Sequence, residues 1–315
     1  MPSYRKIRSK HDVLTICKTP ELAATVALAP VSELQVDAAI IFADIILPLE
    51  GMGVPIRLEE GTGPIVERPV RDVEDVKLID EFQPDRDVPH VLEGIRILKK
   101  QLDGQVPVIG FSGAPFTLAS YLIEGRPSRD FIETKRMMYN RPEVWASLLK
   151  RLSEIVTKYL EAQVKAGVDA VQLFDSWAGS LSPRDYEEFV LPFTREIFDK
   201  LEGKGVPRIH FGTGTAGILR IMKKAGGDVY SIDWRIPIDE SWAILGDVAI
   251  QGNLDPAALL APAGLIQDRA RDILDRVGGR PGHVFNLGHG VLPETPQDSV
   301  RELVKFVHST TRRRR

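Results

Sequence analysis

A single cysteine, Cys17, is all the thiol chemistry that this 315-residue sequence offers. One thiol excludes an intrachain disulfide framework and any multi-thiolate metal site, which points to a reducing cytoplasm as the compartment. Cys17 itself reads as a small buried apolar group. Long apolar runs are missing as well. Nowhere do about 18 uncharged apolar residues follow one another, and Met1 to Lys10 is polar and basic, so neither a membrane span nor an export signal is read. Charge of one sign is not in excess: 41 Lys and Arg against 44 Asp and Glu leave a formal −3. That balance predicts no attraction to nucleic acid, and an anionic ligand would have to be met by local arginines. The basic tail Arg312-Arg313-Arg314-Arg315 reads as a frayed, solvated end. The six histidines (11, 90, 210, 283, 289, 308) include no H-E-x-x-H and no i, i+4 pair, so no metal site is read. His90 and His308 lie in helical stretches and read as structural. No G-x-S-x-G elbow for a nucleophilic serine occurs either.

What is present is a sequence, 43% hydrophobic, long enough to bury a large core. Short β-rich runs alternate with helical stretches, with strands predicted near 36–42, 106–111, 168–174, 207–211, 228–233, 247–252 and 283–288. The clearest helix spans 141–165. Pro142 suits its first turn, Leu148, Leu149, Leu152, Ile155, Val156, Tyr159 and Leu160 recur along one face, and Gly167 closes it. Strands alternating with helices imply a parallel sheet. Seven such units without a linker favour one closed (β/α)8 barrel, residues 1–315 forming a single domain, over a doubly wound sheet; the eighth strand has only a weak signal. The segment 51–70, rich in Gly and Pro, reads as a hairpin or excursion after the first strand.

In a parallel barrel the carboxyl ends of the strands form the active face. Asp44, Asp175, Ser176, His210, Asp233, Asn253 and His289 all fall at or just after predicted strand ends, most pointedly His289 in Phe285-Asn286-Leu287-Gly288-His289-Gly290. Asp175 and Ser176 read equally as N-caps of the next helix. Asp44 precedes Ile45-Ile46-Leu47-Pro48, where a cap is less needed, and His289 between two glycines stands where a ligand can approach closely. Gly212-Thr213-Gly214-Thr215-Ala216-Gly217 matches G-x-G-x-x-G after a strand, with Asp233 downstream at ribose-binding distance. It follows at least three earlier βα units, however, so a loop on a barrel face fits better than a dinucleotide fold. Such a loop could cradle a carboxylate or phosphate through its backbone N–H groups.

Several strings together resemble the uroporphyrinogen decarboxylase family. They are Cys17-Lys18-Thr19-Pro20-Glu21, Val36 to Ile45, Gly110-Phe111-Ser112-Gly113-Ala114-Pro115 onward to Gly125, Phe174-Asp175-Ser176-Trp177-Ala178-Gly179, Gln251-Gly252-Asn253-Leu254-Asp255-Pro256 and Gly282 to Gly290. The resemblance covers essentially the whole chain. It implies a (β/α)8 barrel, a homodimer, and cofactor-free removal of four carboxyl groups from the acetate arms of uroporphyrinogen III, giving coproporphyrinogen III in haem synthesis. By position, Asp44 corresponds to the aspartate that faces the pyrrole N–H groups at the macrocycle centre, and Tyr121, Ser176 and His289 to residues lining the substrate site.

One departure accompanies the match. The family carries an N-terminal Met-Arg-Gln-Ala-Gly-Arg-Tyr string, and this sequence opens at Met1-Pro2-Ser3-Tyr4-Arg5, matching the segment after it. Those arginines are expected to meet substrate carboxylates, so an alternative expectation is a catalytically impaired barrel that binds porphyrinogen or dimerises without turnover. Related corrinoid-linked methyltransferases use a His-x-Cys zinc site; here His210 is followed by Phe211-Gly212, and those ligands are missing.

Overall fold

The computed structural model describes residues 1–59 and 63–311; the basic tail 312–315 lies outside them. All seven predicted strands form. They are β1 (Ala39–Ile40), β4 (Val108–Gly113), β5 (Ala170–Asp175), β6 (Arg208–Gly212), β7 (Val229–Ser231), β8 (Ala249–Leu254) and β9 (His283–Leu287), and the predicted excursion is an antiparallel hairpin of β2 (Ile56–Glu59) and β3 (Gly63–Val66). The large sheet runs in the order β1-β4-β5-β6-β7-β8-β9 with every pair parallel. Apart from the hairpin, each strand lies beside its neighbour in sequence. A doubly wound sheet reverses direction at a switch point, and no reversal occurs here. Winding in one direction with right-handed crossovers puts the connecting helices on one face.

Helix Pro142–Ala166 shows how the pattern becomes packing. Proline occupies its first turn, and Gly167 ends it in the left-handed conformation. All seven apolar residues of its predicted stripe are buried. They pack against β4, β5 and the helices on either side. Gln163, on the same face and also buried, sends its amide Nε2–H to the carbonyl of Phe111 at 2.8 Å.

The sheet is curled. Gln172 of β5 and Gln251 of β8 are three strand spacings apart, about 14 Å in a flat sheet. Yet Gln251 Nε2 donates to Gln172 Oε1 at 3.2 Å and to Ser231 Oγ at 2.9 Å. Those side chains meet only if the sheet bends round them. A row of aromatic rings lies on the same concave side: Phe111 packs edge-on against Phe174 (5.2 Å between centroids), and Phe174 against Phe211 (5.3 Å).

The ring of helices closes where the sheet does not. Helix Gln297–Thr311, after β9, packs on helix Pro20–Leu34, before β1. Glu33 joins them, accepting from Gln297 Nε2 at 2.9 Å while also accepting from the Ser3 hydroxyl, and His308 pairs with Asp37 at 2.8 Å. Between β9 and β1 no strand pairing joins the sheet among the described residues. The expectation of eight strands is therefore met by seven and an open seam. The edges carry exposed apolar side chains, Ile40 at 51% and Val284 at 49%. No helix among the described residues is long and apolar enough to cross a membrane.

Leu148 is fully buried where helix 142–166 meets the sheet. Leu148→Ala should destabilise the protein by about 2–5 kcal/mol, read as a fall in the urea midpoint at unchanged slope. A loss of only a few tenths would mean that this helix does not anchor the core.

Candidate active site

At the carboxyl end of β1 the chain turns at Asp44. Its Oδ1 accepts from the Ile46 amide at 3.1 Å, a local turn that aims the carboxyl group instead of capping the short helix Leu47–Gly51. Asp44 is half-buried, but the carboxyl group sits deep enough that loss of water raises its pKa. The backbone amides of Ile46 and Ile45 oppose this without cancelling it. The same carboxylate acts on its surroundings: burial, and then the Asp44 charge, push the Tyr121 phenol up to about 12, and the buried Cys17 thiol likewise to about 12.

Tyr121 projects from helix Pro115–Glu124, which follows β4. Its ring lies 4.4 Å from that of Trp177, and Trp177 in turn lies 5.0 Å from Phe131. Phe131 has φ 52°, a left-handed conformation that bulky residues rarely adopt and that packing must hold. Ser176, next to Trp177, is half-buried, and its carbonyl accepts from the Thr213 hydroxyl. Ser176 thus stands beside the Tyr121–Trp177 pair, and its backbone is tied to the loop after β6. Neither Asp175 nor Ser176 is an N-cap. The next helical turn starts at Ala178 without a side-chain cap, and the following helix is capped by Ser182.

His289 leaves the end of β9 and is exposed, with Phe211 at 6.0 Å. Its Nδ1 accepts from the Gly290 amide at 2.8 Å, so the neutral ring carries its proton on Nε2 and presents a donor outward. Although the residue is exposed as a whole, the loops crowding its ring strip away some water and lower its pKa, Arg235 lowers it further, and Asp233 opposes them. The link to Arg235 is structural too: Gly288 passes so close to the chain after β7 that a Cβ there would stand 2.8 Å from the Trp234 backbone nitrogen and 2.9 Å from Asp233 Cα.

The glycine-rich loop has a different task from the two its sequence left open. Gly179 lies against it so tightly that a Cβ would meet the Thr213 carbonyl oxygen at 2.2 Å. The Gly214 amide is taken by Asp233 Oδ2 at 2.7 Å. Asp233, almost fully buried, also accepts from the Arg235 amide and guanidinium. Asn253 holds the same turn, giving Nδ2–H to the carbonyls of Asp233 (2.9 Å) and Ile236 (2.7 Å). Gly214, Asp233 and Asn253 therefore lock the loops after β6, β7 and β8 together.

Two other candidates face away from the concave side. Strand alternation turns Phe174 and Phe211 inward, so Asp175 and His210 point outward under the helices. Both are fully buried: Asp175 Oδ2 accepts from the Tyr186 hydroxyl at 3.3 Å, and the His210 ring packs 5.0 Å from Phe198. Their nearest approach is 3.7 Å, from His210 Nε2 to Asp175 Oδ2. They were indistinguishable from inward-facing residues because fully buried strands show no alternation of polarity. Residues that sequence reasoning passed over are Trp177, Phe131, Arg235 and the Gln172–Gln251 pair. Trp177 and Arg235 directly follow Ser176 and Trp234 at strand ends, and that position was the available signal.

Fold and site together define an α/β protein that gathers a carboxylate, a phenol, a hydroxyl and an imidazole at the carboxyl ends of a curled parallel sheet. The family model for uroporphyrinogen decarboxylase (URO-D) matches residues 1–310, and the chain belongs to that family. It is 52% identical over 309 residues to the uroporphyrinogen decarboxylase of Carboxydothermus hydrogenoformans, covering 98% of this chain and 88% of the relative. It is 50% identical over 305 residues to that of a Thermus thermophilus strain, covering 97% and 89%. Among solved structures, a methyltransferase from Methanosarcina mazei superposes with a TM-score of 0.79 at 22% identity, over 94% of this chain and 87% of the other. That likeness is one of fold.

Two expectations come from this geometry. Because burial raises the Asp44 pKa, the folded state holds its proton more tightly than the unfolded state. Ionising Asp44 therefore costs stability once the pH exceeds the ordinary carboxylate value, and Asp44→Asn should melt higher than wild type at pH 7.5. The gap should close as pH falls toward about 4; a lower melting temperature for the variant at pH 7.5 would contradict the raised pKa. Since the Gly214 amide is already engaged, NAD, NADP and ATP should leave the melting temperature unchanged, and a saturable rise with any of them would restore a phosphate-binding role to the loop.

Proposed function

We propose that this protein converts uroporphyrinogen III to coproporphyrinogen III by removing the carboxyl groups of the four acetate arms. Each turnover takes up a proton and releases CO2, leaving a methyl group where the acetate stood. The C–C bond breaks only if the electrons it leaves behind have somewhere to go, and a pyrrole ring protonated at carbon accepts them. The observation that carries the reading is the desolvated Asp44 carboxylate, set beside Tyr121 in a chain that belongs to this family. A carboxylate held out of water near the ring nitrogens stabilises the cationic ring more strongly than it would in solvent. Tyr121, Ser176 and the Nε2–H of His289 serve as donors that orient the arms. None of these steps calls on a cofactor.

The finer architecture we infer is a (β/α)8 barrel. The one-way winding, the cross-sheet Gln172–Gln251 bond, the helix seam at Glu33 and the exposed edges of β1 and β9 all support a sheet with room for one more strand. A homodimer follows from the family resemblance and a reducing cytoplasm from the single thiol, and sedimentation at several concentrations tests the dimer.

The function is tested anaerobically with uroporphyrinogen, following the hepta-, hexa-, penta- and tetracarboxylate products. Wild type should yield the tetracarboxylate. Asp44→Asn, folded by circular dichroism, should lose about 100- to 1,000-fold in kcat. Near wild-type turnover in that variant would remove Asp44 from the mechanism.

A further inference from the structure

Arg235 has attributes of a ligand-binding group beyond its pairing with the buried Asp233. It follows β7 at the carboxyl end of the sheet, and its side chain is 51% exposed. Its guanidinium lies 4.3 Å over the Trp234 ring, which covers one face and fixes the plane. Asp233 engages Nη1. Arginine carries five donors on a rigid planar fork, so most of the edge remains available. The charge reaches the site: after desolvation, Arg235 is the group that lowers the pKa of the His289 imidazole, and the Gly288 contact with Trp234 fixes the two loops against each other.

The chemistry that suits this arrangement is a carboxylate. A neutral His289 presents an Nε2–H, Arg235 presents a charged fork, and a carboxylate accepts from both. The protein has a net charge of −3, so a polyanionic substrate gains nothing from the overall field and depends on such local cations. We propose that Arg235 is a specificity-determining residue that binds one carboxylate arm of the substrate beside His289. The inference rests on the function proposed above.

Asp233 serves as the internal control. Removing Arg235 alone leaves a buried carboxylate without its cation, so the double variant Asp233→Asn/Arg235→Gln accompanies Arg235→Gln; the side-chain amide introduced by Asp233→Asn could still accept from the Gly214 amide. Both variants should raise KM for uroporphyrinogen about tenfold or more, the loss characteristic of a charged hydrogen bond, with kcat little changed. Asp233→Asn alone keeps an oxygen for the Gly214 amide and leaves the guanidinium in place, so it should raise KM clearly less than Arg235→Gln does. A purely structural pair would instead raise KM in Asp233→Asn as much as in Arg235→Gln, and that result overturns the proposal. So does an unchanged KM in the double variant. If wild type itself forms no decarboxylated product, the proposed function fails first, and the two failures are told apart by that measurement alone.

Discussion

Everything at the site depends on the curl of one parallel sheet. A parallel sheet sends all its strand ends to one edge, but in a flat sheet β1 and β9 would lie six strand spacings apart, close to about 30 Å. The Gln172–Gln251 hydrogen bond, and the rings of Phe111, Phe174 and Phe211 lining the same hollow, show the sheet bent round its own side chains. Asp44 and His289, far apart in the chain, thereby rise from one rim. The loops are then fixed to each other by short-range devices: Gly179 against the Thr213 carbonyl, Asp233 on the Gly214 amide, Asn253 on two carbonyls. A site assembled from separate loops is precise only when the loops brace one another.

Within that rim, charge and burial oppose each other. A carboxylate is most useful where water is excluded, and there it is most costly to ionise. Asp44 sits at that compromise, with two backbone amides offsetting part of the cost. Its field is felt by Tyr121 and Cys17, both held protonated far above neutral pH. Tyr121 is thereby kept as a donor, and Cys17 stays an inert thiol of the core. Strain and desolvation concentrated at a site are the usual reasons why a functional residue is not the most stable choice there.

Much of this was legible in the sequence, for physical reasons that differ from element to element. The strands were visible because β-rich apolar runs ended abruptly in polar residues, and helix 142–166 because its apolar spacing and its proline and glycine ends agreed. Asp44, Tyr121, Ser176 and His289 were identified by resemblance; spacing alone could only place three of them at strand ends. Inward and outward residues could not be separated, so Asp175 and His210 were grouped with residues of the rim although they lie under the helices. The glycine-rich motif misled in the ordinary way: small residues permit close approach, and the sequence does not say whether a phosphate or another loop makes that approach. Arg235 offered only its place after a strand end, and that place does not tell a lone arginine whose meaning comes from β9 from any other loop residue.

Glu33 has a kinetic consequence. Its bond to Gln297 closes a loop of 264 residues, and the His308–Asp37 pair one of 271. Contacts of such separation carry the largest entropy of closure and reward it only after the intervening units are in place. The seam between the first and last helices is thus the natural final event of folding. Before it forms, the unpaired margins of the sheet at β1 and β9 lack even the brace of those helices and lie open to other chains.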